Sequence, residues 1–169
     1  MKKIYSVVLC GPAVGKTYLS NNDSRFIDLD EKKAKYKYNI KDDNINFEKN
    51  KLNRGKVVHE DSLDYAINIL NDGIKSERIV LISYNKEILD YVINNRIKYC
   101  LVFPSLNSRE EYIYRMKKRG NNEKFIEAMT NEKDWNSFYE RNRKDMKPMN
   151  KIELKKGEYL SDIKDKFFK

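Results

Sequence analysis

Ile4-Tyr5-Ser6-Val7-Val8-Leu9-Cys10-Gly11-Pro12-Ala13-Val14-Gly15-Lys16-Thr17 is the stretch on which the fold turns. Its opening run, Ile4 to Leu9, reads as one buried strand. A strand apolar throughout needs cover on both faces, which points to a parallel sheet between layers of helices. A glycine turn follows at once, and a short helix is predicted from about Thr17. Between strand and helix, Cys10 to Thr17 has the composition of a phosphate-binding loop. Glycine lets the backbone turn so that several amides face one anion, and the helix N-terminus adds partial positive charge. Lys16 supplies a mobile charge for the outer phosphates and is expected to face solvent. Thr17 offers a hydroxyl to the magnesium ion that bridges them.

The spacing admits two registers. The full pattern Gly-x-x-x-x-Gly-Lys-Ser/Thr puts Cys10 in the first glycine position. Either Cys10 stands in as a small residue, or the loop is one residue shorter and starts at Gly11. Both keep Gly15, Lys16 and Thr17.

Outward from this loop, short apolar runs alternate with helical patterns. Phe26-Ile27-Asp28-Leu29-Asp30 is a second strand ending in acid. Residues 31 to 56 are polar and form an insertion within the domain. Leu63, Ala66, Ile67 and Leu70 recur at helical spacing until Asn71-Asp72-Gly73, the expected stop. Ile79 to Ile82 is a third strand, Lys86 to Asn95 a helix, and Tyr99 to Phe103 a fourth strand closed by Pro104. Ser108-Arg109-Glu110-Glu111 reads as a capping box opening a helix to Arg119. Helices near 123–129 and 134–144, a strand at 151–154 and a terminal helix complete an α/β chain with right-handed crossovers.

With 169 residues, 40% of them hydrophobic, the chain suits one domain with one core, and 36% charged residues imply a heavily charged surface. A net charge of +9 attracts polyanions in general, yet the lysines are interleaved with Asp and Glu and form no tail. No run approaches the ~20 apolar residues of a membrane span. The N-terminus starts like a signal peptide but reaches Lys16 too soon. Cys10 and Cys100 sit in or beside apolar runs, as suits a reducing compartment, so a cytoplasmic chain is expected. His59 is the only histidine, which leaves no Cys/His zinc set.

Asp28 and Asp30 lie two apart, which on a strand directs both toward one face, at the end bordering the ligand crevice. They are the candidate magnesium-linked carboxylates beside Thr17, and Asp30 is also the candidate base for an attacking hydroxyl. The third strand ends in Ser83, where a second acid is absent. Arg115 and Arg119 share a helical face ahead of Gly120, placed to close charge over a triphosphate. Arg141 and Arg143 form a further basic pair. Tyr36, Tyr38 and Phe47 could stack on a base or pin the insertion, and His59 reads as a surface or cap residue. Trp135, Phe138 and Tyr139 read as the buried face of a helix.

Taken together, Gly11 to Thr17, Phe26 to Asp30, Ile79 to Ser83, Leu101 to Pro104, Arg115 to Gly120 and Lys156 to Leu160 resemble small phage-type nucleoside monophosphate kinase-like P-loop proteins. These belong to the wider adenylate, shikimate and gluconate kinase fold. The resemblance implies a three-layer P-loop NTPase fold whose five parallel strands run in the order 2-3-1-4-5, with helices on both faces. It implies a single domain over residues 1–169, an acceptor site over residues 31–56, and a lid from Arg119 toward Arg143 whose mobile part is 119–131. ATP and Mg²⁺ are the implied cofactors. Gly11, Pro12, Ala13, Val14, Gly15, Lys16 and Thr17 would hold the phosphates, with Lys156 and Gly157 near the adenine. Lys16, Asp30, Arg115 and Arg119 would carry catalysis. The expected activity is transfer of a phosphoryl group to a nucleoside monophosphate, a deoxynucleotide first. A polynucleotide 5′-hydroxyl or small-molecule kinase and a non-catalytic nucleotide-binding protein are the alternatives. Nucleotide is thus the expected partner, nucleic acid is less favoured, and no membrane is expected.

Overall fold

The computed structural model describes residues 2–30, 36–38, 54–58 and 62–169, and for 36–38, 54–58 and 62 the backbone alone. In chain order the elements begin with β1 (Val7–Cys10), α1 (Lys16–Asn22) and β2 (Phe26–Asp28). A short ribbon, β3 (Tyr36–Tyr38) and β4 (Arg54–Val58), precedes α2 (Ser62–Lys75), β5 (Ile79–Ile82), α3 (Lys86–Asn94) and β6 (Tyr99–Pro104). Then come α4 (Arg109–Lys118), α5 (Glu123–Thr130), α6 (Glu132–Lys144), β7 (Asn150–Leu154) and α7 (Leu160–Ile163).

Five strands form one sheet in the order β2-β5-β1-β6-β7, and every neighbouring pair in it is parallel. Counted along the chain this is the order 2-3-1-4-5 of a three-layer P-loop-like α/β fold. The strand side chains divide by parity. Val8, Cys10, Ile79, Leu81, Cys100 and Val102 enter one core with Leu19 of α1, Met116 of α4 and Leu160 of α7. Val7, Leu9, Val80, Ile82 and Leu101 enter the other with Leu70 of α2 and Val92 of α3. Both faces of β1 and β5 are therefore buried, which is why their sequences show no polar alternation. Burying each such Val, Leu or Ile contributes about 1.5–3 kcal/mol, so two cores sharing one sheet outweigh the charged surface.

Several boundaries differ from the sequence reading. β1 starts at Val7, because the Ile4 amide donates instead to the Phe167 carbonyl at 2.9 Å. The helix α2 runs through Asn71-Asp72-Gly73 to Lys75. A β-carbon on Gly73 would lie 2.6 Å from Val80 Cγ2, so that glycine is a contact surface and not a stop. The expected capping box does not form: Ser108 makes no side-chain cap bond, and its hydroxyl pairs with that of Ser105. Asparagines do the capping instead, with Asn85, Asn122 and Asn131 each accepting a backbone amide at the starts of α3, α5 and α6.

Of the 31–56 insertion, the ribbon strands β3 and β4 pair antiparallel, while Phe47 and most of the remainder lie outside the described residues, as does His59. No helix among the described residues is long and apolar enough to cross a membrane. Cys10 and Cys100 are both buried free thiols.

Candidate phosphate-loop site

Cys10 is the last residue of β1 and fully buried, so the turn begins at Gly11. Of the two registers, the shorter one describes the loop: Gly11-Pro12-Ala13-Val14-Gly15 joins β1 to α1. The reversal takes place at Ala13, with φ 59°, and Gly15, with φ 89°. Gly15 is required there twice over, since a β-carbon would also meet the Tyr159 ring at 3.3 Å. An alanine held in the left-handed region is strained by roughly 1–2 kcal/mol, so its surroundings must fix it.

Arg115 does that. It is 5% exposed, and its Nη1 donates to the Ala13 carbonyl at 3.3 Å. Its Nη2 donates to the Glu158 carbonyl at 3.1 Å and to the Glu111 carboxylate. The guanidinium also lies 3.7 Å from the centroid of the Tyr159 ring. Glu111, freed from the expected cap, accepts the Gly157 amide at 2.8 Å through its other oxygen. An ion pair between buried Arg115 and half-buried Glu111 thus ties α4 to both the phosphate loop and the Lys156-Gly157 turn. The Leu160 amide adds a bond to the Val14 carbonyl at 3.0 Å. Glu111 and Arg115 stand four residues apart on α4, and packing against the loop makes that i,i+4 pair a structural joint.

Lys16 is buried at 8% exposure, against the expectation that it faces solvent. Its ammonium curls back to the Gly11 carbonyl at 3.1 Å and lies 3.5 Å from Asp30 Oδ2. Burial works against its charge, yet the acidic groups around it, Asp30 and Asp28 among them, hold its proton affinity above the usual lysine value, with Arg119 opposing. Thr17 Oγ1 donates to Asp28 Oδ2 at 2.8 Å. Asp28 is 1% exposed, and burial pushes its carboxyl up to about 6, while Lys16 pulls it down. Burial likewise pushes the Cys10 thiol up to about 12, which keeps it protonated and inert.

Asp28 and Asp30 do not share a strand face. The strand β2 ends at Asp28, whose Oδ1 accepts the Asp30 amide at 3.1 Å and turns the chain. Asp30 is left 48% exposed at the mouth, where the Ser83 hydroxyl donates to it. Ser83, set aside in the sequence as the missing acid, therefore enters the site as the partner of one.

A hydroxyl and two carboxylates offer hard oxygens, the donor chemistry of magnesium, which takes one or two carboxylates and completes its shell with phosphates and water. Burial is what raises the proton affinity of Asp28, and a cation held beside it would offset that cost. Among the described residues no larger acidic, Cys or His cluster occurs. Arg119 is exposed at the C-terminal end of α4, its charge opposing that of Lys16. Lys156 is exposed and Gly157 carries φ 88° on the turn that Arg115 anchors. Trp135 is buried and Phe138 half-buried. No protein-family model matches this chain and no curated protein matches it, so the chemistry is read from its own residues.

Proposed function

We propose that this chain is an ATP-dependent kinase acting on a nucleoside monophosphate, with deoxynucleotides as the first candidates. The observation that supports it is the Lys16 ammonium held beneath the loop between Gly11 and Asp30, next to the Thr17–Asp28 pair. Such a lysine can exchange a carbonyl and a carboxylate for phosphate oxygens without a large movement. Thr17, Asp28 and Asp30 would hold magnesium, which when bound would neutralise phosphate charge. The residues Gly11 to Gly15 would line the phosphates, and the turn at Lys156-Gly157 would border the base of ATP. In this reaction a phosphate oxygen of the acceptor attacks the γ-phosphorus, the bond to the bridging oxygen breaks, and ADP leaves. Little covalent help is needed, so alignment and charge neutralisation carry the rate. Lys16 and Arg119 supply positive charge, while Arg115 acts one step back, holding the loop.

A hydroxyl acceptor is the second reading, favoured by one observation: Asp30 is half-exposed and next to Lys16, where a base for a hydroxyl would sit. ATP consumption measured across ribo- and deoxynucleoside monophosphates, 5′-hydroxyl oligonucleotides and polyols separates the two. Monophosphates should turn over, and Asp30→Asn should slow them without a new acidic limb in the pH profile. Arg119→Ala should lower kcat more than it raises KM, by ~10²–10³-fold. Turnover confined to hydroxyl acceptors and lost in Asp30→Asn would instead establish the second reading. ATP binding without turnover on any acceptor would leave a nucleotide-binding protein.

A further inference from the structure

In the order β2-β5-β1-β6-β7, the connection leaving β1 runs toward β2 while the one leaving β6 runs to β7 on the opposite side. The crevice between the carboxyl ends of β1 and β6 is therefore the topological switch point, where open α/β sheets bind ligands. A cavity of about 370 Å³ lies there, with Gly11 and Pro12 after β1 and Pro104 at the end of β6 in its wall. Gly11 is the residue whose carbonyl holds Lys16, so the cavity adjoins the phosphate loop.

Helices α4, α5 and α6 supply its remaining walls. Tyr112 and Trp135 stand 5.4 Å apart between ring centroids, and Phe138 packs edge-on against Tyr84 at 5.3 Å. The Trp135 indole N–H donates to the Leu106 carbonyl at 2.8 Å, which fixes that wall. Met116 and Met129 add polarisable sulfur. On the exposed side stand Asp134, Ser137 and Arg141, with the Arg141 guanidinium 5.6 Å from the Phe138 ring centroid. Tyr112 is 3% exposed, and its hydroxyl is sealed within the wall without a hydrogen-bond partner among the described residues. The rings and thioethers favour a flat aromatic guest over an aliphatic one, and Asp134, Ser137 and Arg141 at the mouth suit a ring with nitrogen or oxygen on its edge.

The geometry points to this cavity as the pocket for a planar heteroaromatic ring, the nucleobase of the acceptor. The volume lies at the lower end of the ~300–1,000 Å³ range of small-molecule pockets, enough for a base and its sugar. Naming the ring as the acceptor's rests on the kinase reading; the ring site itself does not. It also moves the acceptor's base from the 31–56 insertion, where the family resemblance put it, to α4–α6.

Trp135 is the chain's single tryptophan, so its emission reports on the cavity. The wild-type protein is titrated with adenosine, guanosine, cytidine and thymidine, with ribose 5-phosphate as the non-aromatic control, in the absence and presence of saturating Mg·ADP. At least one nucleoside should change the emission saturably below about 1 mM, the control should not, and Mg·ADP should not abolish the response. Ala128→Phe, at an exposed lining position, should weaken the dissociation constant at least tenfold with an unchanged melting temperature. A response to no nucleoside, or an equal response to ribose 5-phosphate, would overturn the ring site. A response abolished by Mg·ADP would assign the ring to the donor and overturn the acceptor assignment. Calorimetric Mg·ADP binding by the same wild-type protein separates these outcomes from failure of the phosphate loop itself.

Discussion

The two flanks of the β1 carboxyl end are built on opposite principles. Toward β2 and β5, Lys16, Thr17, Asp28, Asp30 and Ser83 satisfy one another through short polar contacts. Toward β6, the cavity is walled by rings and thioethers. The polar flank is already wired and needs only to exchange partners. The aromatic flank presents shape and ring surface. On the proposed reading, charge would be handled where phosphates sit and recognition would fall to the aromatic surface beside it, separating binding of an anion from selection among anions. Arg115 belongs to neither flank, yet it holds the loop from which both start.

Removing Arg115 is therefore the strongest way to break the comparison. Arg115→Ala leaves Glu111, at 18% side-chain exposure, without its partner and releases the strained Ala13 carbonyl. Breaking a buried pair from one side typically destabilises by about 3–5 kcal/mol; because Glu111 is half-buried and keeps the Gly157 amide, the loss should fall toward the lower end, at roughly 2–4 °C of melting temperature per kcal/mol for a chain of this size. Arg115→Lys keeps the charge but loses the fork, so it should recover only part of the loss. Both should raise KM for ATP, while an intact melting temperature in Arg115→Ala would show that the joint is not structural.

Lys16→Ala attacks the polar flank alone. It should lower kcat by ~10²–10³-fold, about 2.7–4 kcal/mol of lost charge stabilisation, while far-ultraviolet dichroism stays native. Normal turnover would remove the phosphate-loop assignment.

The pH dependence of stability sharpens the same flank. Asp28 titrates near 6 in the folded chain, above its ordinary 3.8, so the folded state holds the proton more tightly than the unfolded one. The stabilisation from this proton is complete below about pH 3.8 and disappears as pH rises through about 6. The gap between the folded and ordinary values corresponds to an amount on the order of 3 kcal/mol. Asp28→Asn should flatten this part of the pH–stability curve and stabilise the ligand-free protein above pH 6, while abolishing magnesium-dependent turnover. Denaturant titrations at a series of pH values measure it, and an unchanged slope in the mutant would place the titration elsewhere.

The smallest effect is expected at Ser83. Ser83→Ala removes one hydrogen bond to a half-exposed carboxylate, worth about 0.5–1.5 kcal/mol. Activity should fall by no more than about tenfold, because Asp30 keeps Lys16. A loss as deep as that of Lys16→Ala would mean that Ser83 touches substrate.

Much of this molecule is written in local pattern. Continuous apolar runs at Val7 to Leu9 and Ile79 to Ile82 determine a sheet covered on both faces, and their alternation with helices determines its parallel sense. The glycine turn before Lys16-Thr17 marks the end of the sheet at which chemistry is to be sought. These features are legible because each depends on neighbours within a few residues. Four others depend on contacts between separate elements of the fold, and only packing decides them. Gly73 reads as a helix stop until Val80 is found against it. Glu111 reads as a cap until Arg115 and the Gly157 amide claim its two oxygens. Ser83 reads as an absence until Asp30 turns toward it. Trp135 and Phe138 read as core on periodicity alone, because spacing along a helix cannot tell a filled face from one bordering a cavity; that depends on how α4, α5 and α6 meet over the ends of β1 and β6.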